Sequence, residues 1–245
     1  MDFYRDMGYT SLCVGRRDLA GSTMFLVVET RKRGLRPLSS NLRYKGEAVF
    51  EPYGIFEVNS AKVGVLAVTS PELSQRIKAD GVEVLDPSAR LKSLVPEIKN
   101  RVDVIVLLSN LGEFEDRRLA STVDGIDVII GSGYGRRAYE PLKTGKTYLL
   151  RTHPKGKSVG QVNVELDAKG DILDLDNNLA LLNTGLPEDK AAAQRIQELE
   201  KRYPGKKTVT SRTLPADNPF LKALGGPSKS NPFSQKLTPE VKEPE

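Results

Sequence analysis

The stretch GIDVIIGSGYGRR, residues 125–137, ends an apolar run in closely spaced glycines and a pair of arginines. Glycine-rich turns after a strand can cradle phosphate, because their backbone N–H groups approach an anion closely. Here Arg136 occupies the third glycine position of a GxGxxG pattern, and the segment that follows does not read as a helix. The stretch therefore gives little support for a nucleotide-binding loop.

Two pairs of arginines could still supply positive charge to one site. They are Arg16 with Arg17 and Arg136 with Arg137. Guanidinium groups bind phosphate or carboxylate in a bidentate manner, so the pairs could hold an anion together. They could equally form salt bridges with Asp18, Glu113 or Glu115, or point to water, and the sequence leaves both interpretations open.

Cys13 and His153 are the single cysteine and the single histidine of the chain. One cysteine excludes an internal disulfide and a zinc site built from several cysteines. Cys13 lies among apolar residues, which is typical of a buried structural thiol. His153 precedes a proline, which is typical of an ordinary residue in a loop or at a strand end.

The composition is that of a folded protein with no evident nucleic-acid or membrane partner. The 245 residues are 38% hydrophobic and 28% charged, with a net charge of +5 that is spread along the chain. No nucleic-acid motif accompanies this weak charge. No apolar run approaches the roughly 18 residues that a membrane-spanning helix needs. The first residues, MDFYRDMGYTSL, lack the pattern of a signal peptide.

Helices and strands alternate over the first half of the chain. Runs that are apolar on both faces predict buried strands at 61–69, 103–109 and 126–131, and helical spacing predicts helices at 23–33, 87–100 and 115–123. The later segments TYLLRTH, KSVGQVNVELD and GDILDLD predict a meander of antiparallel strands. This order indicates an α/β sandwich with two sheets.

We predict three parts along the chain. An α/β domain covers residues 1–186, a helix covers 187–204, and an extended or disordered tail covers 205–245. The helix has a narrow apolar stripe and ends at YPG, and the tail is rich in Pro, Ser, Lys and Asn. Two copies of NPF in the tail are too short to be called a repeat.

Five segments in order resemble the 5'-nucleotidase-like metallophosphoesterases of the calcineurin-like superfamily. They are GYTSLCVGRRDLAG, RPLSSNL, FEPYGIFEVNSAKVGVLAVTSPE, DVIVLLSNLGEFEDRRLASTVDGIDVIIGSGYG and TYLLRTHPKGKSVGQVNVELDAKGDI. The match stays in register from about residue 1 to residue 175. The resemblance implies an αββα sandwich of two mixed sheets. It also implies, for the family, two divalent metals that activate a water and clamp phosphoryl oxygens.

The metal-ligand positions that the resemblance implies carry other residues here. The Asn and His of the family's GNHE motif fall on Arg16 and Arg17, its Glu falls on Asp18, and the acid beyond it falls on Ala20. An arginine stays protonated and cannot ligate a metal. The first ligand loop has therefore lost most of its donors.

The second half of the implied ligand set is equally altered. The His of the family's THLG motif falls on Asn110, and the two His of GGHSH fall on Gly133 and Gly135. One asparagine and one aspartate cannot hold two cations. We therefore predict no metal, no cofactor and no catalytic residue. The vestigial site would at most bind an anion through Arg16, Arg17, Asn110, Arg136 and Arg137.

The family's opening strand with its DxH ligands, and the next strand with its GD ligand, have no counterpart in this sequence. The resemblance then implies an N-terminally incomplete fold, in which the strand at 10–15 presents a free apolar edge. We expect a protein partner or self-association at that edge. Since the family is commonly exported, the resemblance also implies a periplasmic or extracellular location.

These expectations favour a non-catalytic metallophosphoesterase-like domain, a pseudoenzyme that acts as a binding or structural module and that can be part of a larger assembly. Two alternatives stay open. One is a metal-dependent phosphoesterase or 5'-nucleotidase whose missing ligands come from a preceding segment. The other is an anion-binding module that uses the arginine pairs.

Overall fold

The computed structural model describes residues 1–15, 18–73, 81–132, 135, 140–153, 156–168, 170–183 and 185–203. The chain divides into two units, residues 1–186 and residues 187–245. The predicted helix after residue 187 is present in the second unit, and the tail predicted over 205–245 lies outside the described residues. No described helix is long and apolar enough to cross a membrane.

The first unit alternates helices and strands in the predicted order. The helices are α1 (Asp2–Asp6), α2 (Thr23–Arg31), α3 (Pro87–Lys99) and α4 (Glu113–Thr122), and α5 (Lys190–Arg202) belongs to the second unit. The strands are β1 (Leu12–Cys13), β2 (Pro37–Leu38), β3 (Leu42–Tyr44), β4 (Tyr53–Val58), β5 (Ala61–Val68), β6 (Val82–Val84), β7 (Val104–Ser109), β8 (Val128–Gly131), β9 (Leu142–Thr144), β10 (Thr147–Arg151), β11 (Ser158–Leu166) and β12 (Ile172–Leu181).

Six strands form one mixed sheet in the order β4-β5-β7-β8-β10-β9. The four central strands are parallel, and β4 and β9 pair antiparallel at the two edges. The register places Leu66 beside Leu107, Leu107 beside Ile129, and Ile129 beside Leu149. Each of these four side chains is at least 96% buried, so the row forms the centre of the core.

Helix α3 covers this face because its apolar residues follow helical spacing. Leu91, Leu94, Val95 and Ile98 recur at intervals of three and four and pack against the buried row. The Asp86 side chain caps the helix by accepting from the Ala89 N–H at 2.7 Å. The helix predicted at 87–100 is thereby confirmed with its packing face.

The mixed α/β fold is confirmed, but two details of the prediction need correction. Strand β10 lies parallel to β8 inside the main sheet, so TYLLRTH does not belong to an antiparallel meander. The other described strands pair two by two, as β1–β2, β3–β6 and β11–β12, and do not join into one continuous second sheet. The order of strands along the chain did not predict the place of β10. The apolar residues of β10 match those of β8 in register, and this match places β10 beside β8.

Strand β1 pairs on one side only within the described part of the chain. The Leu12 N–H donates to Arg36 O at 3.1 Å and the Val14 N–H donates to Leu38 O at 3.2 Å, and both bonds join the β2 side. Leu12 and Cys13 are half-buried. The expected free edge therefore belongs to a short strand that the molecule already covers in part.

The buried amide of Asn41 ties three segments together. It accepts from the Thr69 N–H at 2.8 Å, and it donates to Thr69 O at 2.9 Å and to Leu85 O at 3.0 Å. Thr69 in turn donates its hydroxyl to Val14 O at 2.6 Å. The carboxyl end of β5 is thus fixed to β1 and to the segment before α3.

Replacing Asn41 by alanine removes the partners of the buried Thr69 N–H and C=O groups and of the partly buried Leu85 C=O group. We expect the variant to lose at least about 2 kcal/mol of unfolding free energy, because each unsatisfied buried group costs about 1–3 kcal/mol. Urea unfolding followed by circular dichroism measures the loss. The exposed Asn100→Ala is the control, with an expected loss below about 0.5 kcal/mol. Equal losses in the two variants would contradict this role of Asn41.

Candidate functional site

The parallel strands β5, β7, β8 and β10 point the same way, so their carboxyl ends meet at one edge of the sheet. Ligands of open α/β sheets bind at such an edge. Asn110 follows β7, Ser132 follows β8, and Arg151 ends β10. This edge is therefore the candidate site.

A buried ion pair lies at the centre of the edge. A guanidinium nitrogen of Arg151, Nη2, donates to Oδ2 of Asp116 on α4, and the two side chains are only 8% and 1% exposed. The Ser109 hydroxyl donates to the other carboxylate oxygen, Oδ1. Arg151 Nη1 donates to Ser132 O at 3.1 Å. The pair thus joins the ends of β7, β8 and β10 to α4.

Burial raises the pKa of the Asp116 carboxyl above its ordinary value. The hydrogen bond from Ser109 and the charge of Arg151 act in the opposite direction. These two groups stabilise the carboxylate in a place that water does not reach. Asp116 turns inward to meet Arg151, whereas its helix neighbour Arg118 is exposed.

The structure brings two of the predicted site residues together. Asp18 accepts from the Gly15 N–H at 2.8 Å. A methyl group built on Gly15 would lie 3.3 Å from Asp18 Oδ2 and 3.4 Å from Asn110 Nδ2, so both side chains flank this glycine. Asn110 Nδ2 donates to Ser132 Oγ at 3.0 Å. Asp18 and Asn110 thus keep the neighbourhood that the resemblance implied.

The glycines at this edge have no room for a side chain. A methyl group built on Gly135 would lie 2.8 Å from Glu113 Cβ and 3.0 Å from Arg151 Cζ. One built on Gly131 would lie 2.5 Å from Asp116 Oδ2 and 2.8 Å from Arg151 Nη2. The Arg151 guanidinium therefore fills the space beside both glycines. A histidine at position 135 would have to displace it.

Five of the predicted site residues, Arg16, Arg17, Gly133, Arg136 and Arg137, lie outside the described residues. Two acids named as their possible partners bind other arginines. Glu113 accepts from Arg117 at 2.9 Å, and Glu115 accepts from Arg118 at 2.6 Å. The described partners of these acids therefore lie on their own helix.

The donors present do not fit a pair of divalent metals. Within the described ranges, His, Cys, Asp and Glu nowhere gather in a group of three that could hold a metal ion. Asp18 is bonded to a backbone N–H, and Asp116 is bonded to a guanidinium and a hydroxyl. A permanently charged arginine at the centre of the edge would also repel a nearby dication.

Cys13 and His153 have ordinary structural surroundings. The Cys13 thiol lies 3.6 Å from Val68 O and 3.7 Å from Leu108 O. Burial, with a smaller contribution from the Asp18 charge, raises its pKa to about 12. His153 Nδ1 lies 3.1 Å from Ser158 Oγ, in a turn where the His153 N–H also donates to that hydroxyl.

Arg151 and Asp116, the two residues that dominate the site, were not predicted from the sequence. A signal was present in TYLLR, where an arginine ends an otherwise apolar strand. Charged residues seldom occupy such positions unless they are paired. The partner could not be named, because it lies 35 residues away on a helix with several charges.

Removing one partner of the buried pair leaves an uncompensated charge. We expect Asp116→Ala and Arg151→Ala each to lose about 3–5 kcal/mol of unfolding free energy, and the double variant to lose clearly less than the sum. Urea unfolding of the four proteins gives the coupling. Glu115→Ala, which breaks an exposed pair, is the control and should lose at most about 1 kcal/mol. Strict additivity would show that the pair is not coupled.

The raised pKa of Cys13 predicts slow thiol labelling. A rise from 9.0 to about 12 lowers the thiolate fraction at pH 8 by about 1000-fold, and the thiolate is the reactive form. The rate of reaction with an aromatic disulfide reagent should therefore be far slower in the native protein than in urea, because the higher nucleophilicity of the thiolate offsets only part of this loss. Native labelling at the unfolded rate would contradict the burial of this thiol.

Comparison with known proteins points to one group of enzymes, although no protein-family model matches the chain. The chain is 26% identical over 226 residues to a snake venom 5'-nucleotidase from Gloydius brevicauda, covering 81% of the chain and 38% of that protein. It is 26% identical over 220 residues to 5'-nucleotidase from Bos taurus, covering 76% and 37%. The chain thus spans less than two-fifths of the length of these relatives.

Solved structures share the fold. A 5'-nucleotidase precursor from Thermus thermophilus superposes with a TM-score of 0.72 at 24% identity, over 82% of this chain and 45% of that one. The calcineurin-like phosphoesterase YfkN from Bacillus subtilis superposes with a TM-score of 0.66 at 20% identity, over 82% and 72%. These matches confirm the resemblance to the 5'-nucleotidase-like metallophosphoesterases, since the chain is similar in sequence to 5'-nucleotidases and shares the fold of the calcineurin-like phosphoesterases.

Proposed function

We propose that this domain is a non-catalytic member of its superfamily that acts as a binding module. The observation that carries the proposal is the Asp116–Arg151 pair, which fills the space beside Gly131 and Gly135. In the resemblance described above, position 135 belongs to a metal-binding histidine. Here the Arg151 side chain packs against this glycine, in the volume that a histidine side chain would need. This packing supports a structural role for the site in place of metal binding.

Energetics support the same conclusion. A metal at this edge would require Arg151 to move away, which leaves the Asp116 carboxylate buried without its partner, at a cost of about 3–5 kcal/mol. Arg151 also donates to Ser132 O, so its displacement breaks a second bond. The described donors that would remain, Asp18 and Asn110, are too few to offset this cost.

A binding role is supported by apolar surface that the described part of the chain leaves uncovered. Strand β1 has one edge without a described strand partner. On α2, the side chains of Met24, Phe25 and Val28 are 46%, 54% and 43% exposed and lie on one face of the helix. We propose that a protein partner or a second copy of the chain binds at the β1 edge or at this face of α2. Apolar surface of this kind commonly marks interaction sites.

The competing function is hydrolysis of phosphate esters, which the names of the relatives suggest. We expect the purified protein to release no phosphate from AMP or p-nitrophenyl phosphate above a blank, with Mn²⁺, Zn²⁺ or Mg²⁺ added. Elemental analysis should find no metal at stoichiometric amounts. The physical reason is the missing donor set together with the fixed Arg151 charge.

An Asp18→Ala variant controls for contaminating phosphatases in this assay. Weak turnover that persists in the variant comes from another protein and leaves the proposal standing. Turnover that Asp18→Ala abolishes would overturn it, because that result makes this chain the catalyst.

We also propose an exported location, by analogy with relatives that are venom proteins. The charge, the composition and the thiol do not oppose it. Fractionation of the native host with an antibody to this chain tests the idea, and a purely cytosolic signal would overturn it.

A further inference from the structure

The two faces of the six-stranded sheet are buried to different extents. On the α3 side, Leu66, Leu107 and Ile129 are fully buried. On the opposite side, Val63, Val106 and Ile130 are equally apolar but only half-buried. Strands that are apolar on both faces belong in a sheet that is covered on both faces. The second face therefore has apolar area that the described chain covers only in part.

An open cavity of about 790 Å³ lies over this second face. Its floor is formed by the sheet residues Val63, Val104, Val106, Val128 and Ile130, and its wall is formed by Val162, Val164 and Leu166 of β11. The β11–β12 hairpin packs over the neighbouring part of the sheet through the cluster of Val128, Leu150 and Leu175. The cavity is thus the open space between β11 and the part of this face near β5, beside the area on which the hairpin packs.

The free backbone edge of β11 faces this cavity. Within the described residues, β11 pairs only with β12, which leaves its other edge without a strand. Asn163 also lines the cavity, although its side chain lies on the opposite face of the hairpin from Val162 and Val164. Side chains from both faces of the hairpin can line one cavity only if the edge of the strand forms the cavity wall. Of the nine residues of β11, the four that line the cavity are Val162, Asn163, Val164 and Leu166.

The outer face of the hairpin is acidic along the same strand. Glu165 lies directly opposite Asp174, and Asn163 lies directly opposite Asp176, with all four side chains exposed. Like charges that face each other across strands destabilise a hairpin. A strand added beside β11 would place its outward side chains next to Asn163 and Glu165. Basic residues at those positions would relieve the repulsion.

We propose that an extended segment of another protein adds to the free edge of β11 as a further β-strand and covers the cavity floor. Its inward side chains are apolar, because they lie on valines and isoleucine, and its outward side chains are basic, because they lie beside Glu165. A strand fits better than a helix or a small apolar molecule, because it alone pairs with the backbone groups of β11. This inference rests on the proposed role as a binding module and gives that role a surface and a ligand chemistry.

A synthetic peptide of four alternating valine–lysine repeats, with blocked ends, is the probe. We expect it to bind and to slow hydrogen exchange at backbone amides of β11, measured by NMR. A peptide of four valine–glutamate repeats should bind at least ten-fold more weakly, because its outward carboxylates face Glu165. Absence of binding, or binding without protection of β11, would overturn the proposal.

A charge reversal tests the orientation of the added strand. Glu165 is exposed, so Glu165→Lys should fold normally and should shift the preference toward the glutamate peptide by at least ten-fold. Leu173→Asp, on β12 and 67% exposed, is the matched control and should leave both affinities unchanged. Equal responses to the two substitutions would show adventitious peptide binding and would overturn the proposal.

Sedimentation of the peptide-free protein tests the main alternative occupant. A monomer with unprotected β11 amides is the expected result. A dimer in which β11 is already protected would identify a second copy as the occupant and would overturn the proposal. Peptide binding is measured without any phosphate ester. Absence of peptide binding is therefore a separate result from the detection of phosphate release, which would contradict the proposed lack of catalysis.

Discussion

The contact between Asp116 and Arg151 determines the character of the carboxyl edge of the sheet. It joins β10 to α4, and through Ser109 and Ser132 it also fixes the ends of β7 and β8. A buried ion pair gives little net stability, but it becomes costly as soon as one partner moves. The described ion pair at this edge is therefore held rigidly and is neutral overall. Both properties oppose the binding of a cation, and the rigid contact keeps the ends of the strands ordered.

The same pair explains why glycine stands at two positions of this edge. At Gly131 and Gly135 any Cβ would meet Arg151, Asp116 or Glu113 at contact distances that real side chains do not show. In the resemblance, position 135 carries a histidine, and that larger side chain needs the volume that the guanidinium now fills. The glycine and the arginine are thus two parts of one rearrangement. Reversing one of them alone would produce a steric conflict.

Local patterns predicted most of the fold, and long-range pairing limited the rest. Strands β5, β7 and β8 and helix α3 follow from apolar runs and from spacing, because each pattern is complete within about ten residues. The place of β10 beside β8 depends on which strand offers a matching edge, and the sequence does not encode that locally. Asn110 and Asp18 were found through the resemblance. Asp116 was not predicted, because nothing in its helix distinguishes an inward acid from an outward one.

The candidate site lies at the carboxyl edge of the six-stranded sheet, and the cavity lies over the face of the same sheet opposite α3. Among the described residues, Arg151 and Asp116 at the carboxyl edge are paired with each other, so this pair offers a ligand little unsatisfied charge. The second face has apolar area and a strand edge without a described partner, and both gain free energy when another chain covers them. Large exposed apolar patches and free strand edges commonly mark interaction sites. Recognition of another polypeptide is therefore the role that we propose for this face of the sheet.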